Sequence, residues 1–154
     1  MKKINSNLFK LAMSKFATGV TIITINKKNK YIGKTVSSLA SLSLNPPLIL
    51  FSLDKTSTSL KDYKYATFIG INILSKKQKN LSDHFSKKTP KWSNTKYFLS
   101  NYGTPMIKDS VANLNCRKVK TTIQGDHTIF ICKIVDIKIN KKENSLIYLN
   151  SKYI

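Results

Sequence analysis

The sequence predicts a mainly β protein, a barrel or sandwich of antiparallel strands with a few short helices. Runs of β-branched and aromatic residues recur along the chain, polar turns separate them, and no regular strand–helix–strand alternation appears that would build a parallel sheet. A length of 154 residues, 41% of them hydrophobic, suits one core, so residues 1–154 are read as a single domain.

The elements follow in order. Phe9, Ala12, Met13 and Phe16 lie at i, i+3, i+4 and i+7, which predicts a helix over 8–18 with one apolar stripe and Gly19 as its stop signal. Val20 to Ile25 reads as a strand, turned at Asn26–Lys30 into a partner that starts at Tyr31. Asn45-Pro46-Pro47 is a stiff break before a strand over 48–53. Residues 58–65 suit a short helix or turn, 67–74 a strand, and 76–85 a helix with Leu81 and Phe85 four apart on one face. Residues 86–105 look irregular. Two long strands over 111–124 and 128–139 meet at the Gln124-Gly125-Asp126-His127 turn, and a strand over 146–149 closes the pattern.

Composition narrows the function. The formal charge is +20, which alone would suggest a nucleic-acid binder, a reading that predicts a steep salt dependence of binding. Yet Arg117 is the single arginine, and lysine, asparagine and isoleucine fill over a third of the chain. The planar fork that favours phosphate and base recognition is therefore missing, and the lysines are spread along likely turns as a solvated surface. Nucleic acid is not the expected partner. The longest apolar run, ending at Leu53, stops at Asp54-Lys55, too short to span a bilayer, and Lys10 and Lys15 break up any leader-like segment, so a cytoplasmic location is expected. Cys116 and Cys132 have no metal-ligand spacing with each other or with His84 and His127, and read as buried structural thiols with no metal site.

Glycine patterns for a dinucleotide or P-loop site are missing, as are GxSxG, HExxH and CxxC. Three polar stretches remain. Thr35-Val36-Ser37-Ser38 sets hydroxyls and backbone donors where a flat polar ligand would lie. Ser52 to Ser59 puts Lys55 among hydroxyls just past a strand end, which suits a terminal phosphate but equally a solvated turn. Gly125-Asp126-His127 offers an imidazole in a turn, able to donate to a carboxamide or shuttle a proton.

Together with Phe9–Thr24, Gly33–Leu39, Ser43–Leu50, Gly125–Ile131 and Leu146–Leu149, these stretches resemble, in order and spacing, the flavin reductase family of NAD(P)H:flavin oxidoreductases. The resemblance implies a split β-barrel of Greek-key type, a homodimer with the flavin near the subunit interface, and FMN or FAD reduced by NADH or NADPH for a partner monooxygenase. It implies that Thr35, Val36, Ser37 and Ser38, with Lys34 beside them, line the isoalloxazine, and that Ser52, Leu53, Lys55, Ser57 and Thr58 hold ribityl and phosphate groups. Asn72, Gln78, Phe85 and Ser86 contribute from the next strand and helix. The apolar N-terminal helix and the late tail bearing Tyr148 and Tyr153 are expected to complete the pocket across a two-fold interface. Gly125 and Asp126 present His127 to the nicotinamide as the catalytic residue. The flavin would carry the redox chemistry while the protein supplies geometry. A flavin-binding electron carrier or sensor without steady reductase turnover is the alternative.

Overall fold

The structure is a computed structural model that describes residues 4–154. Helix α1 (Ser6–Ser14) opens it, capped by the Asn5 carboxamide oxygen, which accepts from the backbone N–H of Asn7 at 2.8 Å. It ends earlier than the apolar stripe suggests, and Gly19 belongs instead to a short strand β1 (Thr18–Gly19). The strands β2 (Thr21–Lys27) and β3 (Lys30–Val36) form the expected hairpin. Its turn is Lys28-Asn29, both at positive φ (50° and 67°), the twist a two-residue hairpin needs, with the Asn29 N–H donating to the Asn26 side chain.

The chain continues through β4 (Ala40–Ser43), β5 (Leu48–Asp54), α2 (Leu60–Tyr65), β6 (Phe68–Ile73), a 3₁₀ turn (Lys76–Gln78) and α3 (Lys79–Ser86). After these come β7 (Tyr97–Leu99), β8 (Pro105–Ile107), β9 (Ala112–Gln124), β10 (His127–Ile139), β11 (Ile147–Leu149) and β12 (Lys152–Tyr153). Further strands depart from the sequence reading. β4 is a strand where small residues suggested only a connection, and the stretch read as irregular after α3 holds the β7–β8 pair. Both are short and owe their form to neighbouring strands rather than to local propensity.

Seven strands make one antiparallel sheet in the order β3-β2-β6-β9-β10-β5-β4. The mainly β class with few short helices is thus as expected. Register shifts in the β9–β10 ladder after Ile131 and Ile134 are bulges, which bend the sheet and let it curl around its core. Inside, Phe51 stacks on Phe130 at 5.0 Å, and Tyr63 meets Phe130 edge-on. The Tyr63 hydroxyl, fully buried, donates to the Ile23 carbonyl at 2.8 Å, so this large ring enters the core with its polar tip satisfied. Cys116 and Cys132 are free and buried in the same core, where burial pushes the Cys132 thiol up to about 12 and the Cys116 thiol higher still.

A second cluster joins Val20, Ile22, Leu74, Phe85, Ile107 and Leu146 beneath α3. Gly33 is the close contact here: a Cβ placed on it would meet Phe85 Cε1 at 2.5 Å and Trp92 Cζ2 at 3.2 Å. The glycine lets α3 lie flat against β3. α1, by contrast, buries none of its residues against the rest of the described chain. Among the described residues no helix is long and apolar enough to cross a membrane.

Gly33→Ala should lower stability by about 1–3 kcal/mol, because the buried Phe85 ring has nowhere to retreat. Urea midpoints of the two proteins measure this; equal midpoints would mean that α3 is free to shift.

Candidate functional site

The sheet does not close. β3, one of its edges, has β2 as a ladder partner but no pairing to β5, although the two come close where the Ser38 hydroxyl donates to the Ser52 carbonyl (3.2 Å) and accepts from the Ser52 N–H (3.0 Å). One serine thus replaces a strand pairing. An edge strand leaves every second N–H and C=O without a ladder partner, and here the end of that edge lines a cleft of about 490 Å³, a volume typical of small-molecule sites.

One wall is the end of β3 and the residues after it: Lys34, Thr35, Val36, Ser37 and Ser38. The opposite wall is Ser52, Leu53 and Asp54 at the end of β5, and the rim is Thr56, Ser57 and Thr58 with Lys88 from the loop after α3. His127 closes one end, brought there because β10 pairs with β5 in a register that sets it opposite Asp54.

Several of these side chains hold one another in place. The Thr35 hydroxyl donates to the Ser82 carbonyl at 2.7 Å, and the Lys34 ammonium donates to the Ser86 carbonyl at 3.0 Å, tying the wall to α3. The Asp54 carboxylate accepts from the Thr56 N–H (2.6 Å) and hydroxyl (2.7 Å), and these two bonds hold it below the usual carboxylate range. Its charge is thereby spent on shaping the turn. Thr58 donates to the Lys88 carbonyl at 3.3 Å, joining the two rim segments.

His127 Nδ1 lies 2.7 Å from an Asp126 carboxylate oxygen. That hydrogen bond lowers the Asp126 pKa, so the carboxylate is ionised at neutral pH and takes the Nδ1 proton as its bond. In the tautomer with the proton on Nδ1 the lone pair is on Nε2, which has no partner among the described residues. Gly125, at φ 57°, allows the turn that brings Asp126 and His127 together.

Of the residues singled out in the sequence, ten line the cleft: Lys34, Thr35, Val36, Ser37, Ser38, Ser52, Leu53, Ser57, Thr58 and His127. Lys55 does not; its N–H donates to the Asp126 carbonyl, which locks the turn and leaves its side chain off the lining. Asn72 is wholly buried and structural, donating to the Ile22 carbonyl and accepting from the Ile107 N–H and the Asn113 amide. Gln78 caps its own 3₁₀ turn and donates to the Lys108 carbonyl. Phe85 packs under Gly33, and Ser86 enters only through its carbonyl on Lys34. The Tyr153 hydroxyl is committed to Ser82 and Asp83, away from the cleft. Asp126 and Gly125 serve His127 rather than the lining.

Asp54 and Thr56, which lie in the Ser52–Ser59 stretch but had no role of their own, also line the cleft, as does Lys88, which the sequence did not point to. Asp54 and Thr56 flank Lys55 and differ from it in facing inward. Lys88 sits in a basic pair after α3, one of many such pairs, and its placement depends on where α3 ends.

The family model described as the flavin reductase like domain matches residues 13–154. The chain belongs to this family. It is 35% identical over 131 residues to the NADH-dependent FMN reductase SmoA of Agrobacterium fabrum, covering 85% of this chain and 75% of that protein. It is 33% identical over 128 residues to HsaB, the reductase subunit of a flavin-dependent monooxygenase of Mycobacterium tuberculosis, covering 82% and 68%. Among solved structures, a flavin reductase in its native state superposes with a TM-score of 0.92 at 36% identity over 98% of this chain and 97% of that one. In this flavin reductase family member the matched span holds every residue of the cleft.

Proposed function

We propose that this chain is one reductase domain that takes a hydride from NADH to a flavin bound in the cleft between β3 and β5, and that it supplies the reduced flavin to a monooxygenase. The observation that carries the reading is the unpaired edge of β3 facing a row of hydroxyls, with an oriented histidine at one end. A flavin needs a flat slot, donors and acceptors along its pyrimidine edge, and a cationic end for its phosphate. Outward backbone groups of residues 34–38, the Ser52–Leu53 wall and the Lys88 rim supply these in order. The names of the relatives, an NADH-dependent FMN reductase and a monooxygenase reductase subunit, agree with this chemistry.

When bound, the flavin supplies the redox chemistry, accepting a hydride at its ring and passing the electrons on. The residues supply position. Thr35 and Ser38, fixed by their own hydrogen bonds, hold the wall rigid, so little order is lost when a ring settles on it. Nε2 of His127 would accept from a carboxamide N–H of the nicotinamide and so hold that substrate in position at this end of the cleft. Asp126 acts behind it as a positioning residue that keeps the tautomer. Phosphate would be held at the rim by the Lys88 ammonium and the Ser57 hydroxyl rather than by Lys55, since the Thr58 hydroxyl already donates to the Lys88 carbonyl.

The apolar residues of α1, Leu8, Phe9, Leu11 and Met13, and Phe16 just beyond it are each more than half exposed and lie uncovered by the described chain. A second copy of this chain covers them in a homodimer, since so large a patch is rare on a monomer. The buried thiols suit the reducing cytoplasm.

Lys88→Ala should weaken FMN binding by about tenfold or more, the worth of a charge-assisted hydrogen bond, and leave riboflavin nearly unchanged. Lys55→Ala should alter neither, and titrations of both flavins decide; a Lys55 effect as large as that of Lys88 would place the phosphate elsewhere. His127→Ala should raise KM for NADH and slow anaerobic flavin bleaching by about 10- to 100-fold, with flavin affinity and melting temperature nearly unchanged. Rapid mixing measures it. A mutant that reduces flavin at the parent rate would return His127 to a plain turn histidine.

A further inference from the structure

The free edge of β3 continues past the cleft. Along its first half lies a second cavity of about 240 Å³, walled by Lys30, Tyr31 and Gly33, by Asp62 of α2, and by Thr89 and Pro90. It shares Thr58 and Lys88 with the first cleft. The hydrogen bond between those two residues is therefore a bridge with a cavity on either side. A strand rises about 3.3 Å per residue, so Tyr31 stands roughly 16 Å along the edge from Val36. A ligand laid along β3 would have its ring in the first cavity, its phosphates at the bridge and a further group in the second.

The lining says what that group is. The Tyr31 ring is held by edge-on contacts with Trp92 (5.8 Å) and Tyr97 (5.1 Å), a rigid aromatic surface against which a base can pack. Asp62 binds Lys27 through one carboxylate oxygen at 2.5 Å and has the other left to accept a proton from an amine. A carboxylate repels phosphate, so this cavity suits an uncharged base with an exocyclic amine. The ammonium groups of Lys30 and Lys88 suit the phosphates next to it.

We infer that the second cavity takes the adenosine half of FAD, whose flavin occupies the first, so that this chain binds FAD in preference to FMN. The inference rests on the flavin reading given above. NADH carries the same adenosine diphosphate, but its nicotinamide end is placed at His127, which lines the first cavity and not the second. The bridge at Thr58 and Lys88 lies where the flavin phosphate ends. Continuity along β3 thus favours the flavin as the source.

The test is titration of the full chain with riboflavin, FMN and FAD, followed by flavin fluorescence and absorbance, for the parent and for Thr89→Trp and Lys30→Ala. Thr89 and Lys30 are exposed rim residues, so both variants should fold, which their melting temperatures check. FAD should bind about tenfold more tightly than FMN. Thr89→Trp should bring FAD down to the affinity of FMN while leaving FMN and riboflavin unchanged, and Lys30→Ala should reduce the FAD advantage in part. Free ADP should compete with FAD and not with riboflavin. Equal affinity of the parent for FAD and FMN would overturn the inference, as would a Thr89→Trp loss shared equally by all flavins. A rise in KM for NADH with the FAD to FMN ratio unchanged would assign the cavity to the nicotinamide dinucleotide and overturn it too. Failure of all three flavins to bind would instead overturn the flavin reading itself.

Discussion

The architecture depends on one place where a β-ladder stops. A curled antiparallel sheet can close on itself and leave no edge, or it can stop short and leave backbone groups in need of partners. Here β3, one end of the sheet, approaches the half of β5 that β4 leaves unpaired, and a single serine hydroxyl, that of Ser38, binds both the N–H and the carbonyl of Ser52. That contact fixes the separation of β3 and β5. The unpaired edge beyond it becomes the wall of the cleft, so the unsatisfied backbone that an edge strand exposes is turned to use as a ligand surface.

The surroundings serve that gap. α3 braces β3 from behind through Thr35, Lys34 and the close approach at Gly33, which prevents the edge from relaxing into the cleft. The β9–β10 hairpin, bent by its bulges, carries the Asp126-His127 turn over the end of β5. Asp54, held by Thr56, shapes the loop between these parts. Most polar groups around the cleft have a local structural task, and two that have no partner among the described residues, Nε2 of His127 and the Lys88 ammonium, are free to meet a ligand.

Most of the fold was legible in the sequence because strands with one buried face announce themselves: β2, β5, β6 and β10 alternate or run apolar as expected. What was not legible was set at a distance. β4 and the β7–β8 pair exist because neighbours offer them ladders, and α1 stops at Ser14 although its apolar stripe runs on to Phe16. The cleft shows the same division. The Thr35–Ser38 wall, the Ser57-Thr58 rim and His127 were readable as chemistry at strand ends. Asn72, Gln78 and Phe85 carry side chains that suit a ligand but are spent on the core and on a cap, which only three-dimensional partners reveal. Lys55 and Lys88 illustrate the limit most plainly: two lysines of the same type, one aimed away by a turn and one brought in from another segment.

The central claim is that the gap between β3 and β5 is where the flavin sits. Hydrogen–deuterium exchange with and without flavin reads this directly, because unpaired edge amides exchange fast until a ligand covers them. Added flavin should slow exchange at residues 34–38, 52–58 and 127, and leave the β7–β8 pair and the outer half of the β9–β10 hairpin as they were. Protection confined to any other surface, with the amides of residues 34–38 still exchanging freely, would contradict the account.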